Sequence, residues 1–198
     1  VQTGIASVEV AAFVSDRAVP AMAGAAEIGR ELPDAEGCTW WALVSNRKGA
    51  ERALSSGIDH LTVTLSVSEE YSRRNVGMSV KESTGEAELI ASMAPVVDVV
   101  ISCAFGSPYE GDVDPGLVAA LAKRVTDMGT RVTLADTTGM ATPRRVREVL
   151  DRTGTELGLH LHDTRGTALV NAYAALELGV TRFDTSIGGL GGSPFAEG

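Results

Sequence analysis

The segment His160-Leu161-His162-Asp163 holds two of the chain's three histidines, one residue apart behind a short apolar run. In an extended strand, residues i and i+2 leave the same face, so both imidazoles can reach one point. Two neutral imidazoles leave room for oxygen ligands, which suits Mg2+, Mn2+ or Zn2+. The competing reading is a pair of half-buried histidines bonded to backbone carbonyls. Asp163 behind them either orients a ring or caps the next helix. Asp136, in Leu134-Ala135-Asp136-Thr137-Thr138-Gly139, lies at another strand end as a general base, a metal-shell partner or a loop cap. Glu9 lies between Val8 and Val10. A buried carboxylate without a partner is costly, so Glu9 is expected to face the site and find a cation or hydroxyl.

Three further segments surround these groups. Gly188-Gly189-Leu190-Gly191-Gly192-Ser193 is rich enough in glycine to bring backbone close to a ligand. It is not the nucleotide-binding glycine fingerprint, because no helix follows at the required spacing. Ser193 at its tip is a weak acid and a weak base unless something activates it. Ser102 to Gly111 runs from a strand into a tight loop. Asn46, Arg47 and Lys48 follow a strand end, where the two cations could meet a phosphate or carboxylate, although such charges are usually solvated helix groups.

The elements that must position these residues alternate regularly. Strands are expected at 5–10, 39–44, 60–65, 96–103, 131–135, 157–162 and 181–186. Helices are expected at about 20–32, 47–56, 68–93, 115–128, 143–152 and 167–178. Asp114 before Pro115, and Gly129 after Met128, bracket one of them. Near-continuous apolar strands such as Val96 to Ile101 suit a parallel sheet covered on both faces. Seven β-α repeats fit a doubly wound sheet or a (β/α)8 TIM barrel lacking one unit. Glu9, Asn46, Ser102, Asp136, His160, His162 and Ser186 all fall at or just past strand ends. A barrel gathers such ends at one mouth, which favours a single TIM-barrel domain over residues 1–198.

The net charge of −9 argues against nucleic acid or an anionic membrane as partner. Cys38 and Cys103 are too few for a disulfide framework, and both fall in apolar runs expected to be buried strands. No apolar run is long enough to span a membrane, and no leader precedes the first strand, so the expected compartment is the cytoplasm. The start at Val1 and the stop at Gly198 after a glycine-rich loop suggest part of a longer protein. Seven strands leave two unpaired edges, which would aggregate or pair with a second copy as a homodimer.

Taken together, Ser15 to Met22, Ser45 to Gly49, Ser102 to Gly111, Asp136 to Pro143, His160 to Gly166 and Gly189 to Ala196 resemble the hydroxymethylglutaryl-CoA lyases. These belong to a wider group of metal-dependent (β/α)8 lyases and Claisen-type enzymes. The resemblance spans essentially the whole chain. It implies a TIM barrel with strands two to eight present. It also implies cleavage of 3-hydroxy-3-methylglutaryl-CoA to acetyl-CoA and acetoacetate with a divalent metal, Mg2+ or Mn2+, as in leucine degradation and ketone body metabolism. By position, His160 and His162 resemble metal ligands, Glu9 and Asp136 the acidic residues at the reacting centre, and Ser193 a loop cysteine. Asn46, Arg47, Lys48, Gly191 and Gly192 are expected to contact the acyl-CoA substrate. The family's first strand, carrying an Arg and a ligand Asp, and a ligand Asn beyond the loop, have no counterpart here. Two of four protein ligands remain, so weak metal affinity is expected. The alternatives are a related acyl-CoA lyase or aldolase for another 3-hydroxy acid, and a silent acyl-CoA-binding barrel.

Overall fold

The computed structural model describes residues 4–17, 19–34 and 36–196. Ala18, within the Ser15 to Met22 segment, and the extreme residues of the expected 1–198 domain lie outside them. The strands are β1 (Ser7–Phe13), β2 (Thr39–Val44), β3 (His60–Ser66), β4 (Val96–Ser102), β5 (Arg131–Asp136), β6 (Gly158–Leu161) and β7 (Arg182–Phe183). The helices are α1 (Ala25–Glu31), α2 (Arg47–Ser55), α3 (Glu69–Val76), α4 (Val80–Ala91), α5 (Pro115–Asp127), α6 (Pro143–Thr153) and α7 (Ala168–Leu178).

All seven strands pair in parallel, in chain order, and among the described residues β1 and β7 are the open edges. Parallel neighbours need crossovers, and the helices supply them. Local chemistry starts several of these helices. Ser79 and Glu82 form a reciprocal capping box on α4, Asp114 accepts from Gly116 N ahead of Pro115, and Thr142 accepts from Arg145 N ahead of Pro143.

The two sheet faces differ in chemistry. Leu61, Val63, Leu65, Val97, Val99, Ile101, Val132, Leu134 and Leu159 are buried in the main core with the helices. The alternate positions, including His60, Thr62, Asp98, Thr133 and His160, lie on the opposite, concave face. That polar interior follows from strict alternation, as in His60-Leu61-Thr62-Val63-Thr64-Leu65.

An ion pair crosses this interior. Arg182 on β7 donates to the Asp98 carboxylate on β4 and to Val132 O (2.5 Å), and Thr133 Oγ1 donates to Asp98 Oδ1 (3.0 Å). Burial pushes the Asp98 carboxyl up, and Arg182 and Thr133 pull it back only in part. Gly158 makes room for the crossing. A Cβ there would lie 2.7 Å from Thr133 Oγ1 and 2.9 Å from Arg182 Cζ.

Several expected boundaries change. The helix expected from Pro20 is a short 3-10 turn at Pro20–Met22 followed by α1. The long helix over 68–93 is two helices, because Gly77 takes a left-handed cap (φ 72°) and Ser79 starts again. The strand over 181–186 shrinks to Arg182–Phe183, and Cys38 precedes β2 and is only half-buried, whereas Cys103 is buried. Both thiols are free.

Gly158→Ala is expected to destabilise the protein by about 1–3 kcal/mol, the usual penalty for overpacking. Urea unfolding measures it. An unchanged midpoint would mean that Arg182 has another route to Asp98.

Candidate active site

The C-terminal ends of β5, β6 and β7 carry the centre. Register pairs Ala135 with His160, and Gly158 and Leu159 with Arg182 and Phe183, which brings Asp184 beside His160. His160 and His162 approach through Nε2 atoms 3.0 Å apart. Without an ion, that contact is a hydrogen bond between two imidazoles. It is also the separation of two adjacent ligands about 2.1 Å from one cation. Burial holds the His162 pKa below its ordinary value, with His160 adding to the effect, and this favours the neutral, ligating form. Among the described residues no three His, Cys, Asp or Glu side chains gather around one point. The fit to a metal therefore rests on the two nitrogens.

His160 Nδ1 lies 3.1 Å from Asp184 Oδ2. That contact orients the ring and leaves Nε2 toward His162. Asp163, the nearer acid in sequence, instead accepts from Ala168 N (2.9 Å) at the start of α7. Asp184 was missed in the sequence. Its signal was weak: an acid two residues past Arg182, on the interior side of the last strand.

Glu9 lies on edge strand β1 and is exposed, not buried. Its carboxyl pKa is nevertheless raised, chiefly by desolvation, with Asp184 and Asp98 adding and the Thr62 hydroxyl and His160 opposing. Register sets it beside Trp41, and Trp41 beside His60, which places Glu9 on the interior face.

Asp136 takes a different position. It shares the outward side of β5 with Leu134, is 1% exposed, and accepts through Oδ1 from Met140 N (2.7 Å) and Ala141 N (3.0 Å). Its other oxygen, Oδ2, is buried without a hydrogen-bond partner among the described residues. Burial pushes this carboxyl up to about 6, against the two amides, Arg165 and His160. The immediate work of Asp136 is to hold the 137–141 loop beside the mouth.

Asn46 caps α2 by accepting from Gly49 N (3.0 Å). Arg47 and Lys48 are exposed on the first turn, and Arg47 Nε is 4.0 Å from Glu51. None of the three is drawn to the histidines. On the glycine-rich loop, Gly191 and Gly192 have φ of 118° and 151°, conformations that L side chains rarely adopt. Ser193 is half-buried, and its Oγ accepts from Phe195 N (3.2 Å).

The family model described as HMGL-like matches residues 1–194. This chain belongs to that family. It is 39% identical to a Pseudomonas aeruginosa protein named 3-hydroxy-3-isohexenylglutaryl-CoA/hydroxy-methylglutaryl-CoA lyase, covering 98% of this chain and 68% of the relative. It is 37% identical to the mouse protein named 3-hydroxy-3-methylglutaryl-CoA lyase, cytoplasmic, covering 100% of this chain but 60% of the relative. The solved HMG-CoA lyase of Bacillus subtilis superposes with a TM-score of 0.94 at 37% identity, over 100% of this chain and 70% of that one. An HMG-CoA lyase from Acinetobacter baumannii, solved with coenzyme A and 3-methylmalate, superposes at 0.89 with 34% identity, over 96% of this chain and 66% of that one. The chain thus spans roughly two thirds of the length of these HMGL-like relatives, and its seven parallel strands with their helices are part of a (β/α)8 barrel.

The Asp136 carboxyl binds its proton more tightly in the folded than in the unfolded chain, where its pKa is about 3.9. Between about pH 4 and pH 6 the native state holds the extra proton, so this group's contribution to stability falls as pH rises through that window. Asp136→Asn keeps an acceptor for both amides and removes the slope. The difference in unfolding free energy between wild type and variant should shift by about 2–3 kcal/mol from pH 4 to pH 7. A difference independent of pH would contradict this.

Proposed function

We propose that this chain carries the cleavage centre of a metal-dependent lyase that splits 3-hydroxy-3-methylglutaryl-CoA into acetyl-CoA and acetoacetate. The observation that carries the reading is the 3.0 Å approach of His160 and His162 Nε2 at the barrel mouth, in a chain of the HMGL-like family. His160 and His162 would hold the ion, Mg2+ or Mn2+. A cation bound there lowers the pKa of the substrate hydroxyl and offsets developing negative charge.

The chain's own groups do the rest. Asp184 keeps the His160 ring turned so that Nε2 faces the site. Glu9, which shares that interior, would take the 3-hydroxyl proton. The hydroxyl oxygen then becomes the ketone of acetoacetate as the C2–C3 bond breaks, and the bonding pair passes to the acetyl thioester as its enolate. A proton must return to that carbon, and Ser193 is the loop group able to donate a hydrogen bond there. Serine is a far weaker acid than cysteine, which slows this step. Asp136 supports the neighbouring loop through the Met140 and Ala141 amides. The glycine-rich loop, with Gly191 and Gly192, approaches the substrate and excludes water. Asn46, Arg47 and Lys48, at the start of α2, are suited to the polar and phosphate groups of coenzyme A. Two free thiols suit the cytoplasm.

A second reading keeps the chemistry and changes the acyl group. The name of the Pseudomonas relative includes a 3-isohexenyl substrate, and Ser193 leaves more than one 3-hydroxyacyl-CoA open.

The test is a coupled acetyl-CoA release assay on the complete protein with several 3-hydroxyacyl-CoA thioesters, with and without Mg2+. Release only from the methylglutaryl thioester, and only with metal, is expected. Release from a longer thioester alone would favour the second reading, and no release from any would reject both. His160→Ala combined with His162→Ala should abolish Mn2+ binding in titration calorimetry, and unchanged affinity would remove the metal seat. Ser193→Cys should raise the cleavage rate by about tenfold or more, within the range expected of a positioned acid. No gain, or a loss, would mean that another group returns the proton.

A further inference from the structure

Tyr71 lies outside every role assigned above, yet it is 5% exposed and stands at the mouth. It is the third residue of α3, and its position is tightly fixed. Tyr71 N donates to Ser68 Oγ (3.0 Å), Ser68 Oγ donates to Glu110 Oε2 (2.5 Å), and Glu70 N donates to Glu110 Oε1 (3.2 Å). Ser107 Oγ joins the same group, 3.1 Å from Ser68 Oγ. The start of α3 is thereby tied to the loop that follows β4.

The glycine-rich loop is held in the opposite manner. Its backbone hydrogen bonds among the described residues are all local: Gly189 N to Ser186 O, Leu190 N to Ile187 O and Ala196 N to Ser193 O. Ile187 and Leu190 are 87% and 78% exposed. Phe195 makes the connection to the body of the protein. Its ring meets that of Tyr71 edge to face, with centroids 5.0 Å apart and planes at 68°. Such pairs contribute beyond the area they bury. Phe195 N also donates to Ser193 Oγ (3.2 Å), so the ring contact and the serine belong to one turn of the loop.

We propose that Tyr71 is a positioning residue for the lyase reaction: its ring anchors the glycine-rich loop through Phe195 and so places Ser193. The anchor stands on the ring contact alone, and its consequence for the reaction rests on the proposed function. Tyr71, held by the rigid start of α3, fixes Phe195, and Phe195 N in turn donates to Ser193 Oγ. A phenylalanine at position 71 would keep the ring contact, and an alanine would lose it.

Two measurements on the complete protein test the assignment. In hydrogen exchange, Tyr71→Ala should speed exchange of the amides at 189–196 by about tenfold or more, and Tyr71→Phe should leave them within about twofold of wild type. Phe195→Ala breaks the same contact from the loop side and replaces Tyr71→Ala should that variant fail to fold. Unchanged loop exchange in the alanine variant that folds would overturn the anchor. In the acetyl-CoA release assay, the same alanine variant should lower kcat about tenfold, and Tyr71→Phe should keep kcat within about twofold of wild type. A loss in Tyr71→Phe equal to that of the alanine variant, or no loss in either, would overturn the role in the reaction. Exchange needs no substrate. Absence of lyase activity in the wild type would reject the functional reading, and with it the role in the reaction, while exchange still decides the anchor.

Discussion

His160 lies on β6 and His162 just past its end, with their Nε2 atoms 3.0 Å apart, and Asp184, just past the adjoining strand, holds the first ring by its Nδ1 edge. Two imidazoles at that separation are either a hydrogen-bonded pair or half of a metal site, and the register of β5 and β6 with the Asp184 contact fixes where His160 stands. Glu9, Thr62, Asp98 and Thr133 share the interior they face, and the apolar residues between them are turned outward to the helices. One alternation thus separates the groups that hold the protein together from the groups available for chemistry.

That alternation was readable in the sequence because it is local. His60-Leu61-Thr62-Val63-Thr64-Leu65 announces a strand with one polar and one apolar face, and Asp114-Pro115 announces a helix start. The histidine pair was legible for the same reason. The contacts that were not legible depend on register between distant strands. Arg182 meets Asp98 across 84 residues, through a gap that exists only because residue 158 is glycine. Asp184 reaches His160 by pairing of strands whose ends the sequence placed incorrectly. Asp136 shows the converse. Its type and strand-end position suggested chemistry, but its side of the pleat directs it to Met140 and Ala141 amides.

The mouth combines rigid and yielding parts. The Ser68, Ser107 and Glu110 cluster fixes α3, whereas the segment from Gly188 to Ser193 is rich in residues with positive φ and turns on local bonds. A reactive enolate needs a cover that closes over it and then releases product. Tyr71 and Phe195 are where the two parts meet. Serine at position 193 makes that meeting matter more, since a weak donor depends on its aim.

The central claim is that both imidazoles face one cation. Pulsed electron paramagnetic resonance of the complete protein loaded with Mn2+ tests it directly, by counting directly bound imidazole nitrogens through their nuclear modulation. The account predicts coupling to two such nitrogens, each lost with its own histidine. A spectrum of Mn2+ surrounded by oxygen alone, or coupled to nitrogens that survive removal of His160 and His162, would contradict it.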